Sequence, residues 1–259
     1  MQIPSLLPIG AKSSRSLSQF DQTILANIFN AYENTCISAS RSQFSHYFSN
    51  QQTKFFGFLN EVSSLVRIVI EYLKLIPEFT RINIDDQVRL LKNHVGDVMN
   101  INEKLLFPMT PGNLIITWTN LFGVHVTDRL LKRNQILEQY LHDPILLKLI
   151  FIVLVLSSDD SRNVDVKHID KICDDSLGIF AAQNIYVELL WRYVLYRSSS
   201  ELDAVKFFNK LVSFILFMKS IDAEMEDCIE NFKNEMEQVE PMMQSMWITS
   251  DTEENNIDI

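Results

Sequence analysis

Tyr72-Leu-Lys-Leu-Ile-Pro-Glu-Phe-Thr-Arg-Ile-Asn-Ile-Asp-Asp-Gln-Val-Arg-Leu-Leu-Lys92 reads as the end of one helix, a tight connection and the start of another. Pro77 lacks an N–H and its ring clashes with the preceding turn, so the first helix stops before it. Ile76 is pushed towards an extended backbone. Asn83 is placed to cap the second helix, and Asp86 adds negative charge to its first turn. Val88, Leu90 and Leu91 resume an apolar face. With the helices side by side, Ile70, Val88 and Leu91 form an apolar trough, with Gln87, Lys74 and Lys92 around it. Such a trough fits a short amphipathic helix from a partner. A lysine at its end complements the unpaired carbonyls at that helix's C-terminus.

These residues resemble the signature of nuclear hormone receptor ligand-binding domains: aromatic–small–Lys, then Pro-x-Phe, then Asp-Gln-x-x-Leu-Leu-Lys. Tyr72, Lys74, Pro77, Phe79, Asp86, Gln87, Leu90, Leu91 and Lys92 fit at the family spacing. Leu73 stands where a small residue is usual, and Glu78 where glycine is usual. Pro241-Met242-Met243-Gln244-Ser245-Met246-Trp247 resembles the family's activation helix, Pro-apolar-apolar-x-Glu-apolar-aromatic, with Ser245 in place of the acid. The resemblance is closest to the heterodimer-forming receptors for vitamin D, ecdysone and peroxisome proliferators. It implies an all-α fold, a three-layer antiparallel sandwich of about eleven or twelve helices with a small β-hairpin. Residues 16–249 would form this domain, between a flexible arm at 1–15 and a disordered acidic tail at 250–259.

The resemblance also assigns roles. Phe55, Phe58, Val62, Leu65, Val66, Met99, Asn102, Leu106 and Phe107 would face a small lipophilic ligand. The same residues at the same spacing would equally serve a solid core. Asn102 stands where many members carry an arginine. It donates and accepts without charge, which favours a neutral, sterol-like ligand over a carboxylate. Ile70, Lys74, Gln87, Val88, Leu91 and Lys92, with Met243, Ser245 and Met246 of the last helix, would hold coactivator or corepressor helices. Serine offers such a helix a neutral acceptor where the family offers a charged one, so coactivator binding is expected to be weakened, unless Glu240 or Asp251 stands in. Leu211, Val212, Ile215 and Leu216 would serve dimerisation with a retinoid-X-receptor-type partner. The family's buried Glu–Arg pair would fall on Leu146 and Phe207, both apolar here. The implied compartment is the nucleus, with the cytoplasm second.

Composition narrows the function classes. The chain has 259 residues, 47% of them hydrophobic, and only 6 glycines and 7 prolines, which suits long helices with few turns. Neither a dinucleotide fingerprint nor a phosphate loop appears. A formal net charge of −10 argues against direct nucleic-acid binding through this chain. Cys36, Cys173 and Cys228 are too few and too scattered for a disulfide framework. No set of four zinc ligands is present, so zinc would belong to a DNA-binding domain that is not written here. His46, His94, His125, His142 and His168 show no metal-ligand spacing, and no catalytic motif appears. No apolar run is long enough to span a membrane, and no signal peptide is evident. No enzyme is expected. The rival classes are a ligand-independent repressor or dimer partner, and a helical lipid carrier.

Along the chain, Ser18 and Asp21 form a capping pair for a helix to about residue 34. A short aromatic helix is expected at 41–49 and a long apolar one at 53–74. A helix at 84–106 stops before Pro108. Residues 113–118, with Leu114, Ile115 and Ile116, are the one plausible strand. Helices at 127–141 and 144–156 follow, the second capped by Asp143-Pro144. A polar loop at 157–163 leads to one long helix at 166–197. Another helix begins near Ser200 and runs to about Lys219 or beyond. Glu61 and Glu103 are expected on a solvated face.

Overall fold

The computed structural model describes residues 16–39, 54–107, 109–110, 112–157 and 172–247. Nine α-helices follow in chain order among these residues. They are α1 (Gln19–Tyr32), α2 (Phe55–Leu73), α3 (Pro77–Arg81), α4 (Ile84–Leu106), α5 (Gly112–Glu138), α6 (Pro144–Val155), α7 (Ser176–Arg197), α8 (Glu201–Glu230) and α9 (Pro241–Trp247). A π-helical turn (Glu33–Ile37) extends α1, and a 3₁₀ turn (Lys233–Gln238) precedes α9. No strand occurs among the described residues, so the described chain is all-α. The expected arm at 1–15, the helix at 41–49, most of the loop at 157–163, residues 166–171 of the expected long helix and the tail at 250–259 lie outside the described residues.

Local chemistry sets most helix starts. Ser18 Oγ accepts from the Asp21 N–H at 3.0 Å, while an Asp21 carboxylate oxygen accepts from the Ser18 N–H at 3.1 Å. This is a reciprocal capping box. Asn83 caps α4 by accepting from the Asp86 N–H at 2.8 Å. Asp143 caps α6, with Pro144 at its first position. Asp175 caps α7 through the Gly178 N–H at 2.9 Å. Because that cap ends a non-helical stretch at residues 172–175, α7 begins at Ser176 rather than near residue 166.

The strand expected at 113–118 is helical. Leu114, Thr117, Trp118 and Phe122 are all buried, and they fall at i, i+3, i+4 and i+8, one face of a helix. The apolar run Leu114-Ile115-Ile116, with its two β-branched isoleucines, lost to that longer periodicity. The helix at 127–141 is the second half of the same element, which bends at Gly123. Gly123 has φ 79° and ψ 169°, a conformation that only glycine adopts without strain.

Helix α6 runs through the middle of the fold and is buried almost all round, packing on α1, α4 and α7. Each large aliphatic side chain sealed there contributes about 1.5–3 kcal/mol. Its single charge, Lys148, is 2% exposed. The ammonium lies 4.1 Å from the Phe29 ring centroid, 4.6 Å from that of Tyr32 and 3.1 Å from a Glu33 carboxylate oxygen. Two aromatic faces and one counterion offset part of its desolvation, and burial still lowers the Lys148 pKa. Helix α8 packs on α4, α5 and α7, and α9 packs on α2 and α4.

Candidate functional site

The opening stretch divides its residues between core and surface. Tyr72, Ile76, Phe79 and Leu90 are buried. The Tyr72 ring packs edge-on against Tyr32 and Phe151. Glu78, the departure from the glycine of the resemblance, accepts a hydrogen bond from the Tyr186 hydroxyl of α7. Asp86 is fully buried and does more than favour a helix start. It accepts the backbone N–H groups of Asp174 and Asp175 and the side chains of Arg89 and Asn83. Burial alone would raise its pKa; these donors overcome that and hold it at about 2.

On the surface, Val88 and Ile84 of α4 and Leu75 after α2 stay exposed, while Leu91 is buried and Ile70 half-buried. Lys74 is exposed at the C-cap of α2, its ammonium 2.6 Å from Glu71. Gln87 donates its amide to the Ile82 carbonyl at 2.8 Å, and Lys92 is half-buried. Helix α9 lies against the same two helices, with Met243 and Met246 buried beneath it. The Ser245 side chain faces solvent and its hydroxyl donates to its own helix, to the Met242 carbonyl at 2.7 Å.

Glu240, immediately before α9, accepts from Ser63 and Arg67 of α2. Those two partners lower its pKa. Its backbone N–H donates to Asn60 Oδ1 at 2.8 Å. Glu240, expected as a stand-in for the acid that the resemblance places on α9, therefore latches the helix onto α2. Asp251, the other substitute, lies outside the described residues.

A cavity of about 70 Å³ opens between α2, α4, α5 and α8. Of the expected pocket residues, Phe58, Val62, Leu65 and Met99 line it. Phe55 instead stacks on Phe232, centroids 4.4 Å apart, and Val66 is core. Leu106 and Phe107 pack on the core without lining the cavity. Asn102 is fully buried and does not line the cavity; its Oδ1 accepts from the Tyr32 hydroxyl at 2.6 Å, and its Nδ2 is buried without a hydrogen-bond partner. Tethering α1 to α4 satisfies its carbonyl and fixes its direction.

The polar end of the cavity was not expected. Glu103 lines it rather than a solvated face, and its Oε1 is buried without a hydrogen-bond partner. Burial raises the Glu103 pKa, against the pull of Arg133 and Lys104. Arg133, 1% exposed, lies over the Trp118 ring and donates to Asn134 Oδ1 at 2.9 Å. Asp222 of α8 also lines the cavity and accepts from Asn100 at 3.2 Å. The arrangement offers an apolar body and a head lined by two carboxylates and one guanidinium. Glu61, the other acid expected on a solvated face, is half-buried, and burial raises its pKa.

A second cavity, about 180 Å³, lies where α6, α7 and α8 meet, and both Leu146 and Phe207 line it. The two positions expected to replace a buried ion pair do come together. An acid and a base are still nearby: Asp143 accepts from the Tyr193 hydroxyl at 2.7 Å and lies 3.4 Å from Arg197.

Of the residues expected to dimerise, Leu211 is buried and Ile215 half-buried, because they face the core. Val212 and Leu216 are exposed. Among the described residues no cluster of metal-ligating side chains forms, and no helix is long and apolar enough to cross a membrane. The chain matches no family model and no curated protein.

Proposed function

We propose that this chain is the ligand-binding domain of a nuclear hormone receptor. It would be a three-layer antiparallel helical sandwich that regulates transcription in the nucleus, taking a small lipophilic molecule in the α2–α4–α5–α8 cavity and a coregulator helix in the groove between α2 and α4. The observation that carries this reading is the position of α9. A seven-residue helix with two buried methionines packs on α2 and α4, the two helices that bear Lys74, Val88 and Leu91. A ligand would then act by its differential affinity for the docked and released states of α9. Two carboxylates at the cavity head favour a neutral ligand with a hydroxyl donor over a fatty acid. By the resemblance, a retinoid-X-receptor-type partner would pair through α8.

The test is a fluorescence-anisotropy titration with a labelled Leu-x-x-Leu-Leu peptide. Lys74→Ala should weaken binding about tenfold, the scale of one charged hydrogen bond. Equal affinity in both proteins would sink the groove assignment.

Two observations favour a second reading, a ligand-independent repressor or dimer partner. The cavity, about 70 Å³, falls well short of the few hundred Å³ of a ligand site. Ser245 leaves α9 without its acid. Native mass spectrometry beside a denatured control separates the readings. A removable mass of a few hundred daltons supports the ligand-controlled receptor, and a clean chain mass supports the repressor. A helical lipid carrier would also retain a ligand, but its peptide titration would be flat.

A further inference from the structure

The second cavity, at the junction of α6, α7 and α8, holds a surplus of hydrogen-bond donors. Asp143 is 6% exposed and already satisfied. One of its oxygens accepts the Leu146 N–H at 3.2 Å and the Tyr193 hydroxyl at 2.7 Å, and the other lies 3.4 Å from Arg197 Nε. That contact takes one corner of the guanidinium. Among the described residues, neither Nη of Arg197 has a hydrogen-bond or ion-pair partner. The same holds for the Tyr140 hydroxyl and the His142 ring, and all three residues line the cavity. The other walls are apolar, from Leu146, Val194 and Phe207. Tyr140 is held edge-on against Phe207, ring centroids 5.8 Å apart.

We propose that this cavity binds a small aromatic carboxylate, a molecule of the size of benzoate. The Nη1–Nη2 edge of a guanidinium matches the two oxygens of a carboxylate and gives two parallel N–H···O bonds. Asp143 is a positioning residue, because it holds the guanidinium from the Nε side and leaves that edge to the ligand. The Tyr140 hydroxyl supplies a further donor. The size agrees as well. The cavity measures about 180 Å³, and one of about 150 Å³ takes a benzene ring. The ion pair that the resemblance expects would fall on Leu146 and Phe207; these two side chains instead give the ring apolar walls.

Charge and shape exclude the neighbouring classes. A cation needs spare acceptor capacity, and Asp143 already takes the Leu146, Tyr193 and Arg197 donors. Inorganic phosphate would bring a second negative charge towards Asp143 and leave the apolar walls uncovered. A long fatty acid exceeds the volume. The site shares no lining residue with the first cavity, so the proposal does not rest on the receptor reading.

The experiment is isothermal titration calorimetry of the purified chain with sodium benzoate, beside benzamide, benzylamine and inorganic phosphate. Benzoate should bind saturably, and the other three about tenfold more weakly or worse. Arg197→Lys keeps a positive charge beside Asp143 but loses the two-donor edge, and should weaken benzoate about tenfold. Tyr140→Phe leaves the Asp143–Arg197 pair intact and should weaken it about threefold, the scale of one neutral hydrogen bond. It gives the answer should circular dichroism show Arg197→Lys to be unfolded. Absence of benzoate binding would overturn the proposal, as would binding that either folded variant leaves unchanged. Phosphate binding as tightly as benzoate would show that charge alone is read, and benzylamine doing so would make Asp143 the anchor; either result overturns the carboxylate assignment.

Discussion

Asp86 Oδ1 accepts the backbone N–H of Asp174 at 2.8 Å, joining the start of α4 to the approach to α7. One buried carboxylate thus satisfies donors from segments 88 residues apart. Replacing it by alanine strands the N–H groups of Asp174 and Asp175 and removes a partner of Arg89. Asp86→Ala should cost about 2–4 kcal/mol, from several charged hydrogen bonds lost at once. Urea denaturation of the two proteins checks this.

The same carboxylate gives the fold an acid limit. Its folded pKa is about 2, below the unfolded value of about 3.9. The stabilisation is therefore complete above the unfolded value and is lost as pH falls towards 2. Denaturation midpoints between pH 5 and pH 2 should fall more steeply for the wild type than for Asp86→Asn. Parallel curves would rule out Asp86 as the titrating group.

Gly123 bends α5 at φ 79°, with open space where a Cβ would stand. Gly123→Ala should cost about 1–3 kcal/mol from backbone strain alone. A thermal melt measures it. An unchanged melting temperature would mean that α5 can run straight.

Arg133 and Glu103 share the head of the first cavity. Removing Arg133 takes away the larger of the two positive charges that act on buried Glu103, leaving Lys104. Arg133→Met should destabilise by about 3–5 kcal/mol, and the double change Arg133→Met, Glu103→Leu should recover most of that. A strictly additive double mutant would show the two charges to be independent.

Ser245→Glu should restore an acid at the solvent-facing side of α9. Peptide affinity should rise about tenfold, on the order of 1–2 kcal/mol for one charged acceptor. The anisotropy titration with Lys74→Ala as the low control reads this directly; no gain would mean that the docked peptide does not reach α9.

The sequence was most readable where the chemistry is local. Ser18, Asn83 and Asp143 each cap the helix they precede, and the bounds of α4 follow from Asn83 at one end and Pro108 beyond the other. Leu114-Ile115-Ile116 misled because two adjacent β-branched residues in an apolar run outweighed a face that only shows over nine residues. In the site, the resemblance put Phe58, Val62, Leu65 and Met99 at a pocket, and these four line the first cavity. The place of Asn102 could not be read, because its partner Tyr32 lies 70 residues away. Glu103 read as a surface residue because the cavity that it lines is closed by other helices, Arg133 of α5 among them. On α8, equal apolarity hid which of Leu211, Val212, Ile215 and Leu216 face inward.

Helix α9 has seven residues, about half the length at which a helix holds together alone in water. Its coil-to-helix transition and its adhesion to α2 and α4 must therefore be one event. The amide protons of residues 243–247 should exchange with deuterium together, at a rate set by release rather than by fraying. Helicity in this segment thus becomes an optical and isotopic gauge of whether α9 is docked on α2 and α4.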